Sequence, residues 1–344
     1  MNQMEKTRIL VTGGTGYIGS HTTVELINAG YDVVIIDNLS NSNIGVLDGI
    51  EAITGVRPAF VEGDCRDIDT LRRLFTDWPG IKGIINFAAS KAVGESLEKP
   101  LLYYRNNLDT LMNLLELMPE NGVRGIVFSS SCTVYGEPDS NPVTEDTPIK
   151  TATSPYGNTK QISEEIITDT INAGAPFGAV ILRYFNPVGA HPSALIGELP
   201  NGVPQNLIPY LTQTAAGIRE CLSVFGDDYD TPDGSCIRDF IDVVDLAKAH
   251  VIAVARMVDG RQESPIEIFN LGTGRGVSVL ELINTFREVT GIDLPYRIAP
   301  RRAGDIVKVW ADPTRANTVL GWSADTPLGD TLLSAWHWQQ HLAK

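Results

Sequence analysis

Cysteine is scarce and nowhere spaced for a metal or a redox pair. The four cysteines, Cys65, Cys132, Cys221 and Cys236, form no CxxC and no Cys/His cluster. Neither a metal site nor a disulfide framework is expected from that pattern. Positive charge is also outnumbered: 27 Lys and Arg stand against 42 Asp and Glu, for a formal net charge of −15. That balance argues against a nucleic-acid partner, whose electrostatic footprint is basic. It still allows an anionic small ligand, because a few local Arg side chains and helix N-termini set the field inside a cleft. No apolar run approaches the ~20 residues of a membrane span, and the first residues hold no apolar region with a cleavage site. A reduced cytoplasmic setting, without membrane or signal peptide, is the expectation. With 43% hydrophobic and 20% charged residues, the 344-residue chain has the balance of a globular protein able to bury a sizeable core.

Strand-like and helix-like segments alternate through the first half. Short β-forming runs fall at 8–11, 33–36, 59–61, 84–87, 126–128 and 179–182, with helical patterns at 17–29, 68–75, 101–118 and 155–173. Strands separated by helices imply right-handed crossovers and a parallel sheet, so the fold class is α/β, a Rossmann-type doubly wound sheet. After Tyr184 the chain becomes rich in Pro, Gly, Asn and Asp, a texture that often carries ligand contacts. Helical patterns return at 207–217, 245–257, 279–289 and 328–341, with an extended stretch at 295–299. These signals predict a dinucleotide-binding domain over 1–185, a segment returning to it near 238–265, and a smaller substrate-binding domain over 186–344.

The first strand runs into Thr12-Gly13-Gly14-Thr15-Gly16-Tyr17-Ile18-Gly19. Glycines at this spacing allow a tight turn and let backbone N–H groups approach a pyrophosphate at a helix N-terminus. Asp37 closes the second strand about 20 residues further on, where a carboxylate accepts from ribose hydroxyls and repels a 2′-phosphate. NAD is therefore favoured over NADP. Asp64 follows the third strand and reads either as a residue at the adenine edge or as a solvated loop acid.

Tyr156 and Lys160 form YxxxK on one helix face. A free Tyr has a pKa of ~10 and is a poor base, but an adjacent ammonium favours the phenolate. The pair makes a base able to take a proton from an alcohol during hydride transfer. The fifth strand ends in Ser129-Ser130-Ser131, at the sheet edge where open α/β folds bind ligands. Ser131 is the choice for a hydroxyl bridging Tyr156 and the substrate; Ser129 and Ser130 read as strand-end backbone hydrogen-bonders.

TGGxGYIG, SSS…TVYG and YxxxK, in this order and at these separations, resemble the extended short-chain dehydrogenase/reductases. Three further stretches are similar to the UDP-hexose 4-epimerases among them: Asn86 to Ser96, Arg183-Tyr184-Phe185-Asn186-Pro187-Val188-Gly189-Ala190-His191-Pro192, and Arg301-Arg302-Ala303-Gly304-Asp305 with Trp310-Ala311-Asp312. The similarity runs essentially the whole length of the chain. It implies that Gly13, Gly16, Tyr17, Ile18, Asp37, Asp64, Phe87 and Lys91 line an NAD site, with Asn38, Cys65 and Ala88 beside them. Asn106, or Asn107 as fallback, would touch the cofactor, and Tyr184 would lie near the nicotinamide. Lys91, Ser131 and Tyr156 would also meet the sugar.

Asn186, Asn206 and Leu207 are implied as contacts on the sugar and uridine side, and Asp305 on the uridine ribose. Arg238 and Arg302 would clamp the diphosphate, a task suited to guanidinium, though each could instead be a surface ion-pair partner. The implied reaction has no net redox change: a 4-keto sugar forms, turns about its diphosphate link, and takes hydride back on the other face. NAD would be retained throughout, and a homodimer is implied through the 101–118 and Tyr156 helices.

The chain departs from the pattern in places. Phe240 replaces a common Tyr and removes a hydroxyl donor, and Asp242 replaces a common His. Cys65 and Cys132 stand at usually aliphatic or small positions and read as buried small apolar side chains. Val309 replaces a Tyr that narrows the hexose pocket in several members. It predicts that UDP-N-acetylhexosamines are accepted, unless neighbouring side chains refill the space. Trp322, Trp336 and Trp338, with His337 and His341, suit a packed amphipathic terminal helix. Two other readings compete. A sugar-nucleotide 4,6-dehydratase needs an acid/base pair where Cys132 and Thr133 stand. A non-catalytic NAD-binding module tends to lose Tyr or Lys from YxxxK.

Overall fold

The architecture comes from a computed structural model that describes residues 6–302 and 305–343. Ala303 and Gly304 of the C-terminal motif, and the first five residues, lie outside the described residues. The first half runs β1 (Arg8–Thr12), α1 (Tyr17–Asn28), β2 (Asp32–Asp37), α2 (Val46–Thr54), β3 (Ala59–Glu62), α3 (Ile68–Asp77) and β4 (Ile81–Asn86). It continues through α4 (Val93–Glu98), α5 (Pro100–Tyr104), a π turn at Arg105–Asp109, α6 (Thr110–Glu120), β5 (Gly125–Ser131), α7 (Pro155–Asn172) and β6 (Gly178–Tyr184). The second half opens with β7 (Asn186–Val188), α8 (Leu207–Ala215), β8 (Leu222–Phe225), β9 (Ile237–Arg238), β10 (Phe240–Asp242) and α9 (Val243–Val258). It closes with β11 (Ile266–Leu271), β12 (Val277–Ser278), α10 (Val279–Thr290), β13 (Tyr296–Ala299), β14 (Lys308–Val309) and α11 (Leu328–Leu342).

Seven parallel strands form the central sheet in the order β11-β6-β5-β4-β1-β2-β3. Val33–Ile36 and Ile84–Ile85 are buried without a break, as strands covered on both faces must be. One face packs against α1 and α9, in a core that includes Val24, Ile27, Ala253 and Met257. The other packs against α3, α6 and α7 through residues such as Leu71, Leu114 and Ile167. A separate core around Leu211, Leu282, Phe286 and Leu332 holds α8, α10 and α11 together. The strand order reverses between β1 and β4, and that switch point opens the crevice used for ligands in this class of sheet.

Among the elements that sequence patterning missed are α2 and β11. In α2, Gly49 weakens the helical signal; it is needed because a Cβ there would meet the Leu195 carbonyl oxygen at 2.6 Å. In β11, Glu267 obscures the strand pattern, yet it is buried in an ion pair with Arg256 at 2.7 Å. β11 places residues up to 271 in the first sheet, six beyond the predicted returning segment. The helix expected over 101–118 is a continuous coil with a wide turn at its centre, and it runs through Pro119 to Glu120. Asp242 caps α9, accepting from the Val244 amide at 2.8 Å and the Thr331 hydroxyl at 2.9 Å. Phe240 is buried in the second core, so its missing hydroxyl leaves a ring packed among apolar neighbours.

β5, β6 and α7 are tied by a buried pair. Arg183 on β6 donates to both oxygens of Glu164 on α7, at 3.0 and 2.6 Å. Ser130 donates to the same carboxylate at 2.5 Å, and Arg183 also donates to the Tyr135 hydroxyl at 3.0 Å. Removing one partner strands the other charge away from water. Arg183→Met is expected to cost about 3–5 kcal/mol of stability in urea unfolding. A loss below ~1 kcal/mol would show that the pair is not a structural tie.

Candidate active site

A cleft of about 500 Å³ lies at the carboxyl ends of β1, β2 and β4. Gly13 makes its floor possible: φ is +68°, and a Cβ would meet the Ala88 amide nitrogen at 2.9 Å. Its own N–H donates to the Ile36 carbonyl at 2.8 Å, which ties the turn to β2. Gly19 lets α1 approach the turn, since a Cβ there would lie 2.2 Å from the Gly13 carbonyl oxygen. No side chain caps the N-terminus of α1 and no acid stands in its first turn. Gly16, Tyr17 and Ile18 line the cleft at that end, where the helix field favours an anion.

Asp37 is buried at the end of β2 and accepts from the amides of Thr15 at 3.2 Å and Leu39 at 2.9 Å, and from the Ser42 hydroxyl at 3.0 Å. Asn38 donates to Asp64 at 3.2 Å. Asp64 is paired with Arg66 at 2.6 Å, and that hydrogen-bonded guanidinium pulls its pKa down to about 2. It is therefore neither a free solvated acid nor an unpaired one. Cys65 is buried, and burial raises its thiol pKa far out of the reactive range. Every residue expected at the cofactor lines this one cleft: Gly13, Gly16, Tyr17, Ile18, Asp37, Asn38, Asp64, Cys65, Phe87, Ala88, Lys91, Asn106, Tyr156, Lys160 and Tyr184.

The π turn divides the work of two adjacent asparagines. Asn106 lines the cleft and donates to the Ser90 hydroxyl at 2.8 Å. Asn107 is buried and clamps Ser90 from its amide and carbonyl, while donating to Thr159 of α7 at 2.9 Å. Asn107 is thus committed to holding the loop after β4, and Asn106 is left to face a ligand. Lys91 pairs with Glu198 at 3.2 Å and lies 5.8 Å over the Tyr17 ring. Tyr17 in turn donates its hydroxyl to the Gly189 carbonyl at 2.6 Å.

Tyr156 and Lys160 are positioned by the start of α7. The Ser154 hydroxyl accepts from the Gly157 amide at 3.1 Å, and Pro155 pre-sets the first helical residue. Both side chains are buried, with the Lys160 ammonium 5.9 Å from the centre of the Tyr156 ring. It donates to the Ser129 carbonyl at 2.7 Å. Burial pushes the Tyr156 phenol up to about 12, against a hydrogen bond from Ser131 that draws it back. Burial pulls the Lys160 ammonium down to about 8, against Glu164 one turn along the helix. Ser131, the last residue of β5, stands beside the phenol and accepts from the Thr133 amide at 3.2 Å. Ser129 and Ser130 differ from expectation. Their hydroxyls bind side chains, His250 at 3.1 Å and Glu164 at 2.5 Å, because both point into packed polar layers. His250 is held neutral, its pKa lowered to about 4 by burial, and its ring lies 4.7 Å from Phe87 and 6.0 Å from Tyr184.

The residues expected at the substrate divide. Asn206, Lys91 and Tyr156 line the cleft; Ser131, Asn186, Leu207, Arg238, Arg302, Asp305 and Val309 do not. Arg238 and Val309 are register partners across β9 and β14. Arg238 also acts electrostatically on Cys132, the neighbour of Ser131, whose thiol is pushed up to about 11 by burial. Arg302 pairs with Asp305 at 3.1 Å and lies 5.2 Å over the Phe225 ring. Asn186 pairs in register with Phe240, and Leu207 opens α8 behind Asn206. Val309 is buried with Val134, Tyr135, Val143, Phe185 and Ala311. Among the residues that escaped sequence reasoning are Glu198, His250 and Phe225. Glu198 and His250 have no local pattern, since their partners are far along the chain. Phe225, an aromatic 39% exposed at the end of a strand, carried a weak signal.

The fit to a dinucleotide is good: uncapped N–H groups for a pyrophosphate, an acid for ribose hydroxyls, and a Tyr–Lys base at the far end. Comparison with known proteins agrees. Residues 9–272 match the model of the NAD dependent epimerase/dehydratase family. The chain is 50% identical over 331 residues to the UDP-glucose 4-epimerase of Bacillus subtilis (strain 168), covering 96% of each. A crystal structure of UDP-glucose-4-epimerase from Stenotrophomonas maltophila with bound NAD and formylated UDP-arabinopyranose superposes with a TM-score of 0.94 at 47% identity, covering 98% of this chain and 99% of that one. UDP-glucose 4-epimerase from Bifidobacterium longum, in complex with NAD+ and UDP, gives 0.93 at 46% identity, with coverage of 97% and 98%. On the strength of the matched model, the near full-length identity and the shared sheet and cleft, this chain belongs to the NAD dependent epimerase/dehydratase family.

Proposed function

We propose that this protein interconverts UDP-galactose and UDP-glucose as an NAD-dependent 4-epimerase. The observation that carries the reading is that Tyr156 and Lys160 line the same cleft as Asp37, with Ser131 beside the phenol at the end of β5. Relatives of near full-length similarity bear the name UDP-glucose 4-epimerase, which supports the same chemistry.

NAD+, held in the cleft, would supply the hydride acceptor for the sugar C4 and, once reduced, the donor for the return. The Tyr156 oxygen takes the C4 hydroxyl proton and gives it back to the same oxygen after the sugar has turned. Ser131 holds that oxygen through its hydroxyl. Lys160 favours the phenolate while it stays charged, a contribution present below about pH 8 and lost above it. Arg238 and Arg302 hold the diphosphate, and Phe225 offers a face for the uracil beside Arg302. Asp305 and Asn206 complete the uridine and sugar contacts. The hexose is left as the mobile part and the nucleotide as the fixed one. Val309, without the bulk of a tyrosine, leaves room for an N-acetyl group, although its apolar neighbours already fill part of that space.

A cytoplasmic homodimer is the proposed working form. Four free thiols suit a reducing compartment, and no helix among the described residues is long and apolar enough to cross a membrane. Leu97, Leu101, Leu102 and Met112 are exposed at 51%, 74%, 43% and 44% along α4, α5 and α6, an apolar strip suited to a second copy.

Purified protein without added NAD is expected to convert UDP-galactose to UDP-glucose by NMR, and Tyr156→Phe to lower kcat by roughly 10²–10⁴. Undiminished turnover in that variant would remove Tyr156 as the base. UDP-N-acetylgalactosamine is expected to be converted as well, and Val309→Tyr to abolish that conversion while UDP-galactose turnover persists; intact N-acetyl turnover in the variant would refute the pocket argument. Light scattering at micromolar concentration is expected to give a dimer, and Leu101→Asp a monomer. A monomeric wild type would exclude the helical strip as an interface.

A further inference from the structure

Residues 197–201 and Asn206 line the dinucleotide cleft although they follow β7, in the half of the chain that carries the second core. This strap is anchored from behind by α11. Trp338 Nε1 donates to the Glu198 carbonyl at 2.9 Å, and a Cβ at Gly197 would meet the Trp338 ring at 2.5 Å. With its backbone pinned, Glu198 sends its side chain into the cleft, where it is only 12% exposed. A single oxygen, Oε1, accepts from Lys91 Nζ at 3.2 Å and from Asn206 Nδ2 at 2.6 Å. Lys91 belongs to the loop after β4, and Asn206 stands at the start of α8. One carboxylate oxygen therefore joins the two walls of the cleft.

A carboxylate in an anion-binding cleft works against its ligand. It repels a dinucleotide's phosphates, and its own desolvation must be offset by its partners. Lys91 cancels the first effect, and the hydrogen bond from Asn206 with the ion pair offsets the second. What Glu198 adds is mechanical: with Lys91 and Asn206 joined through it, the strap cannot lift without breaking a charge-assisted contact.

We propose that Glu198 is a positioning residue that latches the 197–206 strap to Lys91 and so slows the departure of bound NAD. The proposal rests on the reading of this cleft as the NAD site given above. It assigns retention of the cofactor partly to a contact between protein groups, and not only to contacts with the cofactor itself.

The test is exchange of resident NAD for isotopically labelled NAD in the purified holoenzyme, followed by mass spectrometry of the bound nucleotide. Glu198→Gln is expected to exchange about fivefold faster, the factor that ~1 kcal/mol brings. Lys91→Met is expected to exchange faster too, and the double variant no faster than the faster single one, because both break the same contact. Glu198→Asp, which keeps the charge but falls one methylene short, should lie between wild type and Glu198→Gln; it carries the comparison if Glu198→Gln does not fold. Exchange at the wild-type rate in Glu198→Gln, or effects that simply add in the double variant, overturns the latch alone. A wild-type protein that carries no nucleotide brings down the NAD reading of the cleft, and the latch with it.

Discussion

One hydrogen bond orders the candidate site: the Lys160 ammonium donating to the Ser129 carbonyl at 2.7 Å. It fastens α7 to the end of β5, beside the place where Ser131 of the strand stands next to the Tyr156 phenol of the helix. It adds to the Ser130–Glu164–Arg183 cluster a second tie between the two elements, one that lies at the level of Tyr156 and Ser131. The bond also satisfies a cation that burial disfavours, since a strand-end carbonyl is one of the few acceptors available at that depth. Glu164, one turn on, adds charge from below and is itself held by Arg183 and Ser130. Base, lysine and buried ion pair therefore form a column along one face of α7, and geometry at its top depends on order at its foot.

The net charge of −15 does not prevent an anionic ligand from fitting, because the cleft is built from local devices. The open N-terminus of α1 offers backbone donors. Lys91 stands at the mouth and carries its own counter-ion in Glu198. Arg238 and Arg302, which do not line that cleft, lie on separate strands and loops of the second half. Acidic groups dominate elsewhere, many of them in exposed pairs such as Arg57 with Asp48 and Glu51 that count for little in stability.

Legibility from sequence followed the range of the interactions. The glycine turn, Asp37 and the Tyr156–Lys160 pair are local patterns, each spelled out within a strand end or a helical turn, and they were readable. The doubly wound sheet was readable from alternating segments. Asn106 was preferred to Asn107 on resemblance alone, because their roles diverge through a π turn that no local pattern announces. Ser129 and Ser130 were misread for a similar reason: their partners, His250 and Glu164, lie 121 and 34 residues away. Glu198 was invisible, its partner Lys91 being 107 residues distant. β11 was hidden by a glutamate whose charge is cancelled by Arg256, a fact that only the packing of α9 reveals.

The position of β11 has a bearing on how the chain is made. This edge strand pairs with β6, yet it is translated only after the glycine- and proline-rich segment and α9 have been added. On a ribosome, residues 8–184 emerge with six strands of the sheet ready to pair and the outer side of β6 bare. The α9 face of that sheet, including Ile9, Val11, Ile85 and Val127, lacks its cover for the same interval. Such a nascent chain presents an unpaired parallel edge beside an apolar surface, the combination that invites wrong partners. The interleaving of the two halves thus sets a vulnerable window in synthesis, during which a chaperone or a slow translation rate has the most to contribute.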